Sequence, residues 1–253
     1  MHVQYIKMRW GTGDNYSYLL TDDSTTDSWI IDPAEPVEVL SELEKAGVNL
    51  KAIVNTHHHY DHSGGNQELY NKYKLPVIAG KDSPLVSYVP KDGEVLKLGS
   101  SIEIKAIHTP CHTQDSICYY VTDFKNPQQR FVFTGDTLFT AGCGRFFEGT
   151  GEEMDTALNF KLAKLPKDTV VFPGHEYTKG NVKFAKTLLQ NNAIQQLEKF
   201  VNENEVTTGQ FSIGDELEFN PFMRLDDESI TSKLNLTSRS DVMDKLRELK
   251  NKS

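Results

Sequence analysis

The chain of 253 residues, 38% hydrophobic and 25% charged, is long enough to bury a sizeable core without disulfide staples, which excludes a mini-protein scaffold and a disordered segment alike. Against about 150 residues for a typical domain, that length suggests one large domain with a small appendage. Its 27 Lys and Arg against 36 Asp and Glu leave a net charge of −9, which repels nucleic acid and anionic membrane and argues against a nuclease.

Predicted strands crowd the first half, over residues 3–8, 16–21, 29–31, 51–55, 77–79, 94–98, 102–107, 116–121 and 131–134. β-Branched or aromatic residues fill most of them, and Gly, Pro, Asp or Asn bound them. Helical patterns interleave. Residues 36–46 open with Pro36 near the first helical position and close at Gly47, and a helix over 67–73 follows a Ser-Gly-Gly turn. Met154, Ala157, Leu158, Leu162 and Leu165 repeat at helical spacing and predict one helix over 152–165, stopped by Pro166. After one more strand, 169–172, the character changes: helices are expected over 182–190, 193–202 and 241–250, with a polar Ser/Gly stretch between them and no further strand. Residues 1–176 thus read as a mixed α/β domain and 177–253 as a small helical domain, with no internal repeat.

Cys111, Cys118 and Cys143 are too few for a disulfide framework and form no C-x-x-C pair, which suits a reducing compartment. The opening MHVQYIKMRW lacks the apolar run of a secretory signal, and no stretch approaches the ~18 apolar residues of a membrane span. A cytoplasmic location without membrane or nucleic-acid partners is therefore expected.

The chemistry concentrates where the strand over 51–55 runs into Thr56-His57-His58-His59-Tyr60-Asp61-His62-Ser63-Gly64-Gly65-Asn66. In an extended segment His57 and His59 point to one side and His58 to the other, so two imidazoles are aimed together. The glycines let the chain turn into a helix, leaving Asp61 and His62 at the corner, able to face a second ion beside the first. Imidazole and carboxylate are ligand types for zinc, manganese and non-haem iron, and no thiolate stands in the motif to demand a structural zinc. A histidine-rich surface loop is the plain alternative, but it has no reason to follow the order H-x-H-x-D-H with a glycine pair behind it.

This segment resembles the signature of the metallo-β-lactamase superfamily, and in its close form that of glyoxalase II, the hydroxyacylglutathione hydrolases. Further motifs of that branch recur in order: Thr109-Pro110-Cys111-His112-Thr113, Phe133-Thr134-Gly135-Asp136-Thr137-Leu138-Phe139, Gly142-Cys143-Gly144-Arg145-Phe146-Phe147-Glu148-Gly149-Thr150, Pro173-Gly174-His175-Glu176-Tyr177-Thr178 and Asn220-Pro221-Phe222-Met223-Arg224. The resemblance implies an α+β fold, a metallo-β-lactamase-like αββα sandwich with a C-terminal helical domain. It also implies two divalent ions, zinc with iron or manganese as alternatives, with His57, His59 and His112 on one, Asp61, His62 and His175 on the other, and Asp136 bridging both. Taken singly, His112 could bond a carbonyl, Asp136 cap a turn and His175 be an ordinary loop histidine.

The activity so implied is thioester hydrolysis in methylglyoxal detoxification: a hydroxide shared by the ions attacks S-D-lactoylglutathione, giving D-lactate and glutathione. By the same resemblance Asp61 and Asp136 would be the catalytic carboxylates. A thiol leaving group with a pKa near 8.5 needs little general-acid help. Glutathione is acidic, so an acidic protein needs a local cationic pocket for it. The resemblance assigns substrate binding to Arg145, Tyr177, Arg247 and Lys250, and to Phe147, which stands where many relatives have Tyr and can supply only packing. Arg247 and Lys250 lie three apart, hence on one helix face, beside a stripe of Val242, Leu246 and Leu249. His58, aimed away, is expected to support the site, the cysteines to be inert, and the protein to be a monomer. The alternatives are a persulfide dioxygenase with a single iron or another hydrolase on the same fold.

Overall fold

Residues 1–253 are described by a computed structural model. Two compact units make it up, Met1–His108 with Asp115–Gly135, and Thr109–Gln114 with Asp136–Ser253.

The first unit contains β1 (His2–Met8), β2 (Asn15–Thr21), β3 (Asp27–Ile31), α1 (Pro36–Ala46), β4 (Asn49–Val54), α2 (Tyr60–Ser63), α3 (Asn66–Tyr73), β5 (Val77–Ile78), β6 (Val95–Leu98), β7 (Ile102–His108), β8 (Ile117–Asp123) and β9 (Arg130–Gly135). One sheet runs β1-β2-β3-β4-β5, antiparallel through β3 and parallel from β3 to β5. The parallel pairs need crossovers, and α1 and α3 supply them. Helix α1 occupies the predicted residues: Pro36 stands in its first turn, and Gly47, at φ +61°, bonds its N–H to Leu43 O.

Every residue of β2 is buried, because the sheet is covered on both faces. On one face Leu19 packs with Ile30 and Ile53 against Val39 and Leu43 of α1 and Leu69 of α3. On the other, the Tyr18 ring lies 5.3 Å from that of Phe133 in β9. The Tyr119 hydroxyl likewise donates to Asn55 O at 3.0 Å. These contacts join the first sheet to a second, ordered within this unit as β9-β8-β7-β6 and antiparallel throughout. Emptying a position such as Leu19 by Leu→Ala would cost about 2–5 kcal/mol.

The second unit opens on a short hairpin, β10 (Leu138–Phe139) and β11 (Gly142–Cys143). Then come α4 (Gly151–Asp155), β12 (Val170–Pro173), α5 (Thr178–Ala185), α6 (Asn192–Glu203), α7 (Ile213–Phe219), α8 (Glu228–Leu234) and α9 (Arg239–Asn251). The helix expected over 152–165 is present as an unbroken helical run over 151–164, but it is not α throughout. After α4 it widens into a π-helical turn, Thr156–Lys161, and then tightens into a 3₁₀ turn, Leu162–Lys164. The Leu162 N–H is shared between Ala157 O and Leu158 O, and Asn159 donates to both Asp155 Oδ1 and Phe222 O.

Helix α7 lies in the stretch read as polar and loop-like. A Ser212/Asp215 capping box starts it, and Phe219 joins a core with Ala141, Val182, Ala185, Ile194, Leu197 and Val201. Helix α5 begins at Thr178, four residues before the expected start. Helix α9 buries Val242, Met243, Leu246 and Arg247, so Arg247 shares the inward stripe and Leu249, expected there, lies at its edge. No helix is long and apolar enough to cross a membrane.

Candidate metal centre

In the first unit, β4 delivers the chain into the His57–His62 corner, and a buried carboxylate holds that corner. Asp32, just past β3 at φ +51°, accepts from Thr56 N and Thr56 Oγ1, each at 2.7 Å, and its Oδ2 lies 3.0 Å from His62 Nδ1. With Nδ1 so engaged, Nε2 is the nitrogen His62 can give to a metal. His57 has the same division of labour: Nδ1 faces Thr56 Oγ1 at 3.1 Å, while Nε2 lies 3.1 Å from His59 Nδ1. The His57 ring is 4.8 Å from that of His59 and 4.2 Å from that of His62. Asn15 donates to both Asp61 O and Asp61 Oδ2, at 3.0 and 3.2 Å, which aims the carboxylate.

His58 turns instead to the buried Asp115, at 2.8 Å. Gly135 closes this unit at φ +48°; a Cβ there would stand 2.2 Å from Thr56 Oγ1, so only glycine fits under the corner.

In the second unit the groups come from far apart in sequence. His112 Nε2 and His175 Nε2 each lie 3.4 Å from Asp136 Oδ2, and all three residues are buried. Two ligands on one tetrahedral ion at about 2.1 Å stand about 3.4 Å apart, so one carboxylate here is placed as a co-ligand to each of two imidazoles. The spacing and the donor chemistry both fit a divalent metal. His112 Nδ1 is occupied by Arg145 O at 2.9 Å. The loop can approach that closely because residue 144 is glycine; a Cβ added there would meet Asp136 O at 1.9 Å and His112 Nδ1 at 2.9 Å.

Two exposed aromatics flank these ligand-type histidines. The Tyr177 ring stacks on His175 at 4.4 Å and 11°, and the Phe147 ring meets His112 edge-on at 5.3 Å. Phe147 is 61% exposed and Tyr177 40%, so both leave a face for a bound molecule. The three predicted cations also gather in this unit. Burial, and then the charges of Arg247 and Arg145, pull the Lys250 ammonium below its ordinary pKa. Arg145 is exposed, whereas Arg247 is buried and already donates to Cys143 O at 2.7 Å and to Asn251 Oδ1 at 3.0 Å. Burial pushes the Cys111 thiol far up and that of Cys143 to about 12, so neither supplies a thiolate near neutral pH.

Sequence reasoning missed Asp32, Asn15 and Asp115, which orient ligand-type residues without belonging to their motifs. Asp32 left one signal, a carboxylate followed by Pro33 directly after an apolar strand.

A two-sheet frame with ligand-type histidines and a carboxylate gathered where β4 ends defines a metallo-β-lactamase-type protein, and residues 10–83 and 77–175 match the sequence profile of the Metallo-beta-lactamase superfamily. Residues 176–253 match that of the Hydroxyacylglutathione hydrolase C-terminus. The chain belongs to the hydroxyacylglutathione hydrolases, the glyoxalase II branch of that superfamily. It is 51% identical over 255 residues to a Schizosaccharomyces pombe protein named probable hydroxyacylglutathione hydrolase glo2, covering 99% of this chain and 98% of the relative. It is also 51% identical over 275 residues to the Saccharomyces cerevisiae hydroxyacylglutathione hydrolase, cytoplasmic isozyme, covering 100% of each. Among solved structures it is similar to ETHE1 from Myxococcus xanthus, with a TM-score of 0.68 and 24% identity over 98% of this chain and 97% of that one, a likeness of fold.

Proposed function

We propose that this protein hydrolyses S-(2-hydroxyacyl)glutathione thioesters, S-D-lactoylglutathione above all, to the free hydroxy acid and glutathione. What carries the reading is full-length identity of 51% to proteins named for this activity. The second unit supports it by grouping His112, Asp136 and His175 with two exposed aromatic rings and three cations.

His57, His59 and His112 would hold one divalent ion and Asp61, His62 and His175 another, with Asp136 serving both. Seven ligand-type side chains are too many for one tetrahedral centre that must also keep a position open. Bound there, the ions would supply Lewis acidity and bring the pKa of water down toward about 7. The donor set suits zinc, iron and manganese alike, and zinc is our first choice.

The chain's own part is orientation. Asp32 fixes the His62 tautomer, Arg145 O that of His112, and Asn15 the Asp61 carboxylate. Arg145 and Lys250 offer charge to the glutathione carboxylates, Arg247 sets the local field, and Tyr177 and Phe147 offer ring faces. We divide the work along the chain, with residues 1–176 as the catalytic domain and 177–253 as the substrate-binding domain. The enzyme would act in the cytoplasm, as a monomer, with no nucleic-acid or membrane partner.

The experiment is turnover of S-D-lactoylglutathione before and after chelation. Activity that chelator abolishes and added metal restores supports the reading; a metal-replete protein that cleaves no glutathione thioester, or that oxidises glutathione persulfide instead, overturns it.

A further inference from the structure

The first residue of the Asn220-Pro221-Phe222-Met223-Arg224 motif reaches the hairpin whose Phe139 ring packs against His175. The turn of that hairpin, Phe139 to Gly142, contains Ala141 at φ +55°, a left-handed conformation that surrounding structure must hold in place for a non-glycine residue. Its polar backbone groups are met by side chains. The Ala141 N–H donates to Glu216 Oε2 at 3.0 Å. Asn220 Nδ2 donates to the same Oε2 at 2.8 Å and lies 3.0 Å from Gly142 O and 3.3 Å from Phe139 O. Asn181 Nδ2 donates to Thr140 O at 3.0 Å.

Glu216 and Asn220 stand one helical turn apart, and both are fully buried. A carboxyl placed so deeply is costly unless it stays protonated, and burial pushes this one up to about 8, while Oε1 is buried with no hydrogen-bond partner. A group held at that cost answers to a requirement on the turn.

The requirement can be read from what the hairpin carries. The Phe139 ring meets His175 edge-on at 5.9 Å and Tyr177 at 5.3 Å, so it backs the stacked His175–Tyr177 pair. At the other end, Cys143 O takes the Arg247 guanidinium, which also lies over the Phe222 ring at 5.6 Å. A loosened turn would shift Phe139 first, and His175 and Tyr177 with it.

We propose that Glu216 and Asn220 are positioning residues of the hydrolytic site, clasping the 139–142 turn so that Phe139 holds His175 in ligating orientation and Tyr177 against it. This rests on the glyoxalase II reading above for what the site does, but not for whether it binds metal.

Four variants test it: Glu216→Ala, Asn220→Ala, Glu216→Gln and Phe139→Leu, each followed by thermal melting, by zinc affinity in competition with a chromophoric chelator, and by kcat and KM on S-D-lactoylglutathione well below the melting temperature. Glu216→Ala and Asn220→Ala should lower zinc affinity and kcat/KM by about 10–100-fold in the folded protein. Glu216→Gln keeps an oxygen for Ala141 and Asn220 and should recover to within about threefold of wild type.

Phe139→Leu leaves the clasp intact and should reproduce much of the loss, which keeps the test open should the alanine variants fail to fold. Variants that melt earlier but keep wild-type zinc affinity, kcat and KM would reduce the clasp to a stabilising contact and overturn the proposal, as would a wild-type Phe139→Leu. If the wild-type protein cleaves no glutathione thioester, the functional reading fails, while the zinc affinities still decide on the clasp.

Discussion

The two groups of ligand-type residues, one in each unit, are built in opposite ways. In the first unit, His57, His59, Asp61 and His62 fall within six residues, and one strand-to-helix corner aims them, with Asp32 and Asn15 as braces. In the second, His112, Asp136 and His175 come from three separate segments, and aromatic packing, a glycine approach and a remote buried carboxyl set their geometry. The first group therefore depends on local backbone, and its errors should be confined to metal binding. The second depends on the tertiary structure of its whole unit, where metal and substrate groups share supports and should fail together.

The contrast between the two units should show most strongly at Asp136. Asp136→Ala should cost more activity than loss of any single terminal ligand, and more than the roughly 10–100-fold expected for a group that only braces a ligand, and should lower metal content, because it removes the group both imidazoles of the second unit converge on. Purified Asp136→Ala with full metal content and near-normal turnover would show that it serves neither ion.

Next comes the first group's brace. Asp32→Ala should reduce metal affinity or activity by about 10–100-fold, by releasing Thr56 and His62 together. KM at saturating metal should stay close to wild type, since the substrate groups lie elsewhere. A change in KM alone would refute the separation of roles.

Substitution of the cations should act on binding. If they hold the glutathione carboxylates, as proposed above, Arg145→Ala and Lys250→Ala should each raise KM a few-fold to about tenfold with kcat nearer normal, since such contacts would be made in ground and transition states alike. The effect should shrink with added salt and for thioesters of neutral thiols. Arg247→Ala should also lower the melting temperature, because its guanidinium is a buried partner of Cys143 O.

A pH series sharpens the contrast through Glu216. Burial lifts its carboxyl to about 8, against the opposing hydrogen bonds from Asn220 and Ala141 and with a further push from Asp215. The unfolded value is about 4.3, so the folded protein keeps the proton longer; this contribution to stability is full below that value and is lost as pH rises toward 8. Melting temperature should decline across that window in the wild type and decline less in Glu216→Gln. Equal slopes in the two proteins would mean that Glu216 does not titrate there.

The smallest expected change is Phe147→Tyr. A regained hydroxyl contact should lower KM by no more than about threefold, and an unchanged KM would mean that the ring face alone is used.

What the sequence made legible follows the same division. Strands of the first unit alternate or run apolar between turn residues, and helix α1 carries its own Pro and Gly signals, so both could be read directly. The H-x-H-x-D-H spacing pointed to a metal by itself. His112, Asp136 and His175 became candidates only through family resemblance, since nothing within a few residues of each reveals the partners that aim it. Helices α7 and α8 escaped because they are seven residues long, and the most deeply buried polar group of α7 is Glu216, which an apolar pattern counts as surface. The widened turn at Thr156–Lys161 leaves the apolar spacing of a regular helix intact, so composition gave no warning of it.

The most direct test of the account is metal content measured beside turnover on one carefully prepared, fully active sample. Two ions per chain, with S-D-lactoylglutathione hydrolysis lost on chelation and regained on metal addition, is the predicted result; full activity at one ion per chain would contradict it.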